Sequence, residues 1–265
     1  MPEEAAEAKE CPICEGLGWI VEADGSAGSA RPCECRGRSF AHRLIRRARI
    51  PERYRNCTLA GFQTSSPDAA VRDRLFAARR RCEHYVEDFV QPDGRFTELG
   101  LLFIGPPGVG KTHLAAAVLQ ELVRRYRVRG LFVDFTTLVH DIQSTFHPDS
   151  QSSKQQVLEP VMETEVLVLD ELGAQKPTPW VSDLLYLVMN GRYTARRPTL
   201  FTTNYRLEGA VEAGSLDRAP SGPGLESLAL RITPRLLSRL YEMTRPIEID
   251  VPDFRREVKF EGQRV

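Results

Sequence analysis

The chain has 265 residues, 42% of them hydrophobic and 27% charged, which is enough for one large core or for a core with a small appendage. Lysine plus arginine equals aspartate plus glutamate at 36 each, so net charge excludes no class of partner and any electrostatic partner has to be sought in local patches. No apolar run approaches the roughly 20 residues that span a bilayer, and the acidic opening MPEEAAEAKE has no apolar stretch behind it. It does not read as a signal peptide. The expectation is a soluble cytoplasmic protein with no membrane partner, whose six cysteines stay reduced.

Four of those cysteines are clustered near the start. Cys11 and Cys14 form C-x-x-C, and Cys33 and Cys35 form C-x-C. Thiolates two or three positions apart can converge on one ion. Two such pairs complete a tetrahedral sulfur site with no open position, which is the pattern of structural zinc. Gly16, Gly18, Gly25 and Gly28 permit tight turns between the pairs, and Trp19 to Val21 reads as a short strand. The segment has too few apolar residues to fold alone, so a metal would supply most of its folding free energy. A redox pair or plain free thiols are the alternatives. Cys57 and Cys82 stand alone and read as packed residues.

The next stretch, RGRSFAHRLIRRARIPERYR, carries Arg36, Arg38, Arg43, Arg46, Arg47, Arg49, Arg53 and Arg55 against one acid, Glu52. Phe40, Leu44 and Ile45 give a thin apolar stripe at helical spacing, and Pro51 ends that helix. The run is either a solvated face or an electrostatic contact with nucleic acid or an acidic protein surface. A capped helix is then expected from about Pro67 to Phe89.

The most informative stretch is LGLLFIGPPGVGKTHLAAAVLQELVRRY. Leu101 to Ile104 reads as a buried strand, and Gly105 to Thr112 matches G-x-x-x-x-G-K-[ST] with a helix directly behind it. Gly105, Pro106, Pro107, Gly108, Val109 and Gly110 form the loop, and His113 follows it in the helix. Gly108 and Gly110 let backbone N–H groups turn toward phosphates. Lys111 is placed to reach the β and γ oxygens, and the Thr112 hydroxyl to bind magnesium, with the helix N-terminus adding its dipole. A second apolar strand, EVLVLDELG, ends in Asp170 and Glu171. An acid at the end of a buried strand is costly unless it serves a purpose; Asp170 suits magnesium and Glu171 suits polarising the attacking water. A third strand, PTLFTTN, ends in Asn204, whose amide can orient that water. GLFVDFTTL, residues 130–138, reads as a strand between the first two. Alternating strands and helices imply an α/β protein with a parallel sheet, right-handed crossovers and ligands at the carboxyl ends of the strands.

Taken together, GPPGVGKTHLA, VLVLDELG, RYTARRPTLFTTN and PRLLSRL resemble the AAA+ P-loop ATPases of the bacterial helicase-loader group, of DnaC/DnaI type and related to IstB. IPERYRNCTLAGF resembles the segment leading into that group's core. The resemblance covers roughly residues 50–256. It implies a sheet of order 5-1-4-3-2 flanked by helices and no C-terminal lid, with RPIEIDVPDFRREV as a last strand and short tail. It also implies a helical insertion at 138–163, where Lys154, His140 and His147 are candidates for contacting DNA. Arg239 resembles the arginine finger that reaches a neighbouring subunit's phosphates, with Arg235 one turn before it. The implied organisation is a zinc module at 1–37, a basic helix and linker at 38–62, and an ATPase domain at 63–265. The implied function is ATP-dependent loading of the replicative helicase on single-stranded DNA by a ring or helical filament, using ATP, magnesium and zinc. An IstB-like ATPase that selects target DNA for transposition is the alternative, as is an ATP-gated adaptor with negligible hydrolysis.

Overall fold

Three apolar runs of the sequence, LLFI, VLVLD and TLFTT, become strands buried along their whole length. A computed structural model of the chain describes residues 11, 13–14, 19–22, 29–147, 153–207 and 227–254. The glycines at 16, 18, 25 and 28 and the tail beyond 254, for which turns and an extension were expected, lie outside the described residues. In chain order the elements are β1 (Trp19–Glu22), β2 (Ser29–Pro32), α1 (Glu34–Arg47), α2 (Ala69–Glu87), β3 (Gly100–Ile104), α3 (Lys111–Tyr126), β4 (Gly130–Asp134) and α4 (Phe135–Ser144). They continue with α5 (Lys154–Glu163), β5 (Val166–Asp170), α6 (Pro179–Thr194), β6 (Thr199–Thr203), α7 (Pro234–Met243) and β7 (Thr244–Glu248). A 3₁₀ turn, Glu52–Tyr54, lies between α1 and α2.

β1 and β2 pair as an antiparallel hairpin of their own. The other five strands form one parallel sheet in the order β4-β5-β6-β3-β7, which is 5-1-4-3-2 when β3 is counted first. Strand alternation divides the apolar residues between two faces. Leu101 and Phe103 of β3, Val166 and Val168 of β5 and Ile247 of β7 pack with α1, α2 and α3. Leu102, Ile104, Leu167, Leu169 and Phe201 pack with α4, α5, α6 and α7. A parallel sheet needs this cover on both sides, and each fully buried Leu or Phe contributes roughly 1.5–3 kcal/mol relative to its exposed state.

One cation lies inside this core. Arg192, in the last turn of α6, is 0% exposed. Its guanidinium donates to the carbonyls of Val161 and Thr164 at 2.9 Å and of Pro198 at 2.8 Å, and to Thr199 Oγ1 at 2.8 Å. It thereby joins the end of α5 to the start of β6. Burial, and then Arg197, draws its pKa down; the carbonyl cage is what makes the burial tolerable.

Several boundaries differ from those expected. β4 stops at Asp134 instead of running to Leu138, because the Asp134 carboxylate accepts from Thr137 N at 2.7 Å and caps α4 at once. α2 starts at Ala69, with Asp68 as its cap, and ends at Glu87. α1 ends at Arg47, and Pro51 instead opens the 3₁₀ turn. Among the described residues, Ala41, Leu44 and, at the C-cap, Ala48 are buried along α1, while Phe40 is 44% exposed. α1 packs on α3 and β4, and Ala48 O accepts from Phe132 N at 2.7 Å. The arginine-rich helix is therefore part of the core on one side, with Arg46 and Arg47 exposed on the other. The 138–163 region is helical as α4 and α5, the latter opened by a capping box of Ser153 with Gln156.

Candidate functional site

The loop between β3 and α3 is held open by two glycines. Gly108 and Gly110 have φ of +86° and +91°, which a side chain rarely adopts. A Cβ on Gly108 would stand 1.7 Å from Asp253 Oδ1, and one on Gly110 2.6 Å from the Phe62 ring. The loop is thus pressed between the segment before α2 and the segment after β7. Val109 is buried beneath it. Lys111, 7% exposed, donates from Nζ to the carbonyls of Gly105 at 2.8 Å and Pro106 at 2.7 Å. Its ammonium is held at the mouth of the loop, beside the first N–H groups of α3.

The acids meet the loop through hydroxyls. Thr112 Oγ1 donates to Asp170 Oδ1 at 3.0 Å, and Thr202 Oγ1 donates to the same oxygen at 2.5 Å. Burial pushes the Asp170 carboxyl up, and the Thr202 and Thr112 hydrogen bonds oppose the shift. Glu171 directly follows β5 with φ of +60°. A left-handed glutamate costs about 1–2 kcal/mol. The turn is held by Glu171 N donating to Thr202 Oγ1 at 3.0 Å and Leu172 N donating to Thr202 O at 2.8 Å. Glu171 is exposed at the strand tip, and burial of its surroundings, followed by Asp134 and Asp170, raises its pKa. Thr202 serves both acids, a role whose only mark in the sequence is a threonine within an apolar strand.

Lys111, Thr112, Pro107, Glu171 and Asn204 line one cavity of about 320 Å³ with Arg53, Tyr54, Cys57 and Thr202. An adjoining cavity of about 290 Å³ is mostly apolar, lined by Phe62, Val71, Leu75, Val109, Val251 and Phe254. The two share Gly108, Gly110, His113 and Phe254. His113 ties the parts together. Its Nε2 lies 3.0 Å from Thr58 O and its Nδ1 3.3 Å from Cys57 Sγ. A carbonyl only accepts, so Nε2 carries a hydrogen; in the neutral ring Nδ1 then accepts from the Cys57 thiol. Cys57 is thus a wall of the site rather than an isolated core residue. A polar half with a lysine, an acid on its wall, a second acid behind it and oriented N–H groups, continuous with an apolar half, suits a phosphorylated ligand with a flat apolar end.

Arg235 and Arg239 are not on these walls. They lie on α7 and lean onto α6. The Arg235 guanidinium sits 4.0 Å over the Tyr186 ring and hydrogen-bonds that residue's hydroxyl. Arg239 sits 3.9 Å over the Tyr193 ring, and donates to Glu242 Oε2 at 3.0 Å and Asn190 Oδ1 at 3.4 Å. His140, His147 and Lys154 are exposed on or beside α4 and at the start of α5. Near them Phe146, 61% exposed, meets the Trp180 ring edge-on at 6.0 Å, an aromatic pair that their distance along the chain concealed.

At the other end of the molecule the four clustered cysteines converge. The sulfurs of Cys11, Cys14, Cys33 and Cys35 all lie within 4.8 Å of one another, and the first three residues are buried. Cys33 occupies the N-cap position of α1 and Cys35 lies in its first turn. Backbone N–H groups of Ile13 and Cys14 draw the Cys11 thiol down to about 6, while the Cys14 sulfur pushes Cys35 up to about 12. Four thiols this close cannot all ionise without a cation among them, and a soft tetrahedral dication fits the set.

A family model described as an IstB-like ATP binding protein matches residues 88–211. The chain is 27% identical to the replicative helicase loader DnaC of Escherichia coli K12 over 194 residues, 73% of this chain and 74% of that one. It is 26% identical to the phage-like element PBSX protein XkdC of Bacillus subtilis over 215 residues, covering 79% and 77%. A crystal structure of the DnaC helicase loader superposes with a TM-score of 0.56 at 30% identity, covering 75% of this chain and 99% of that one. The chain belongs to the helicase-loader family of AAA+ ATPases. Its α/β core is accordingly an ATP-binding domain of IstB/DnaC type, with a four-cysteine cluster ahead of it. Among the described residues no helix is long and apolar enough to cross a membrane.

Proposed function

We propose that this protein loads or remodels a replicative helicase on single-stranded DNA and hydrolyses ATP as it does so. The observation that carries the reading is the match to the DnaC loader along 99% of that chain, combined with a cavity that gathers Lys111, Thr112, Glu171 and Asn204. In this reading the polar half of the cleft takes the polyphosphate and the apolar half, around Phe62, Val251 and Phe254, takes the base. Lys111 meets the β and γ oxygens. Thr112 and Asp170 would hold magnesium, which when bound neutralises charge on the phosphate oxygens. Glu171 accepts a proton from the attacking water, and Asn204 orients that water. Arg239, with Arg235 beside it, stands off its own cavity and serves the γ-phosphate of the next subunit, a heterologous contact that builds a ring or filament. The zinc module of residues 1–37, through the basic helix and linker of 38–62, docks the helicase, and the ATPase domain of 63–265 meets DNA.

The test uses the full chain as bait for the replicative helicase and for a transposase, with single-stranded DNA and ATP present. Retention of the helicase by the wild type, and loading onto DNA that fails in Lys111→Ala, is the expected result. Retention of a transposase and not the helicase would move the protein to the IstB-like reading, which the family match at 88–211 supports.

A further inference from the structure

Arg53 belongs to the arginine run that precedes the core, where linear charge alone suggests a solvated or nucleic-acid-facing surface. Its position in the fold is different. It is the central residue of the 3₁₀ turn Glu52–Tyr54 and lines the same cavity as Lys111, Thr112, Glu171 and Asn204. Arg53 and Arg55, two residues later, are both exposed, but Arg55 does not line the cavity. The turn that carries Arg53 is fastened to α3. Gln120, 0% exposed, donates from Nε2 to Tyr54 O at 3.1 Å and to Cys57 O at 3.0 Å. The Tyr54 ring stacks on Phe132 with centroids 6.5 Å apart, and Cys57 is bonded to His113. Two carbonyls and one thiol thus fix the segment to the helix whose N-terminus is the phosphate loop, and the Tyr54 ring fixes it to β4. Among the described residues the Arg53 guanidinium takes no acid and no hydrogen-bond acceptor of its own chain.

The charge of the cavity leaves room for a second cation. Its walls carry Lys111 together with Glu171, and Asp170 lies directly behind. With Glu171 and Asp170 counted, a nucleoside di- or triphosphate brings more negative charge to the site than one lysine and one divalent ion neutralise. A guanidinium also offers what an ammonium cannot, a planar fork of donors matched to phosphate oxygens.

We propose that Arg53 is a nucleotide-binding residue, donating within its own subunit to the polyphosphate of the bound nucleotide. The inference rests on the reading of the cavity as the ATP site. Because its turn is mounted beside His113 at the start of α3, while Glu171 and Asn204 come from the tips of β5 and β6, Arg53 serves phosphates common to ADP and ATP. Its loss therefore weakens both ligands together.

The experiment is a fluorescence titration of the full chain with labelled ADP and labelled ATP. The proteins are wild type, Arg53→Ala, Arg53→Lys and Arg55→Ala, with circular dichroism confirming that each remains folded. A charge-assisted hydrogen bond lost from the site weakens binding roughly ten- to hundred-fold. That fall is expected for Arg53→Ala with both nucleotides, with partial recovery in Arg53→Lys and none of the loss in Arg55→Ala. ADP affinity within two-fold of wild type in folded Arg53→Ala overturns the assignment. If that variant instead loses affinity for single-stranded DNA, the residue belongs to a nucleic-acid face and the assignment also falls. A wild type that binds neither nucleotide removes the reading of the cavity itself, and this inference with it, whereas wild-type binding with an unaffected Arg53→Ala removes this inference alone.

Discussion

The sheet and the cysteine cluster sit in one chain and hold themselves together by opposite means. The sheet buries Leu, Val, Ile and Phe on two faces under helices. Among the described residues the cluster buries Cys11, Cys14 and Cys33, with Ile20 and Cys35 packed partly against them. The first region has enough apolar area to order itself; the second does not, and its sulfurs repel one another's charge until a cation joins them. The core fails through cavities and unpaired polar groups, and the cluster fails through its ligands. The two meet at α1, whose first turn carries Cys35 and whose last turns pack on α3 and β4.

The two regions part most completely when metal is removed. A structural zinc in a small module is worth about 10–16 kcal/mol of apparent binding free energy. Purified protein should carry about one zinc per chain, and Cys14→Ser or a strong chelator should abolish the order of the hairpin while ADP binding by the core persists. Metal analysis of reduced protein together with ADP titration reads both halves. Absence of zinc from freshly prepared protein, or loss of ADP binding along with the metal, would show that the two regions are not separable in this way.

Next in size is the contribution of Arg239. An arginine supplied to a neighbour's γ-phosphate is worth about 10³–10⁵ in rate, so Arg239→Ala should lose nearly all ATPase activity under assembling conditions yet keep its nucleotide affinity. Mixed with Lys111→Ala, which lacks the phosphate contact, it should regain activity, because some interfaces join an intact loop to an intact arginine. Co-assembly without any recovered turnover would place Arg239 outside the reaction.

Glu171→Gln should lower turnover roughly 10²–10⁴-fold with ATP binding unchanged. Burial and the neighbouring Asp134 and Asp170 raise the wild-type carboxyl above its ordinary 4.5. A base must be ionised to act, so activity is full above the raised value and falls as pH drops through it. The acidic limb of the rate profile should therefore lie above 4.5 and disappear in Glu171→Gln. A limb unchanged in the variant would mean that another group titrates there.

How much of this was legible in the sequence depends on whether a signal was local. The strands LLFI and VLVLD read correctly because a strand buried on both faces is apolar throughout, and the loop and the two acids stand at their tips, with Asn204 at the tip of β6. The start of α4 carries only half a signal, since Asp134 is a favoured cap residue but Thr137 stands where Glu or Gln would complete a capping box. Arg53 could not be distinguished from its neighbours by charge. What aims it is Gln120, 67 positions later in the chain, through two carbonyls. Asp253 against Gly108, and Phe62 against Gly110, are contacts between distant segments that no periodicity encodes. Tyr186, Asn190 and Tyr193 were visible at i, i+4 and i+7 of one helix, a spacing that marks a single face, but nothing local said that the arginines of another helix would lie on it.

That face supports the smallest and most discriminating effect. Arg239 is held three ways, by the Tyr193 ring at 3.9 Å, by Asn190 and by Glu242. The ring matters differently from the other two. Asn190 and Glu242 compete with any phosphate for the guanidinium's donors, whereas stacking on a face leaves the planar fork free along its edge. Tyr193 thus positions the arginine without consuming what it offers. A cation–π contact of this kind is worth about 0.5–2 kcal/mol, so Tyr193→Ala should lower kcat of the assembled ATPase a few-fold to about 30-fold. Tyr193 is 41% exposed, so its truncation should scarcely alter the melting temperature, and ATP affinity should not move because the residue stands off its own cavity. Tyr193→Phe keeps the face and should keep the rate. If Tyr193→Ala turns over like wild type, α6 does not aim the arginine. If KM rises while kcat holds, Tyr193 acts on nucleotide binding instead, and the division between the cavity and the arginine face has to be redrawn.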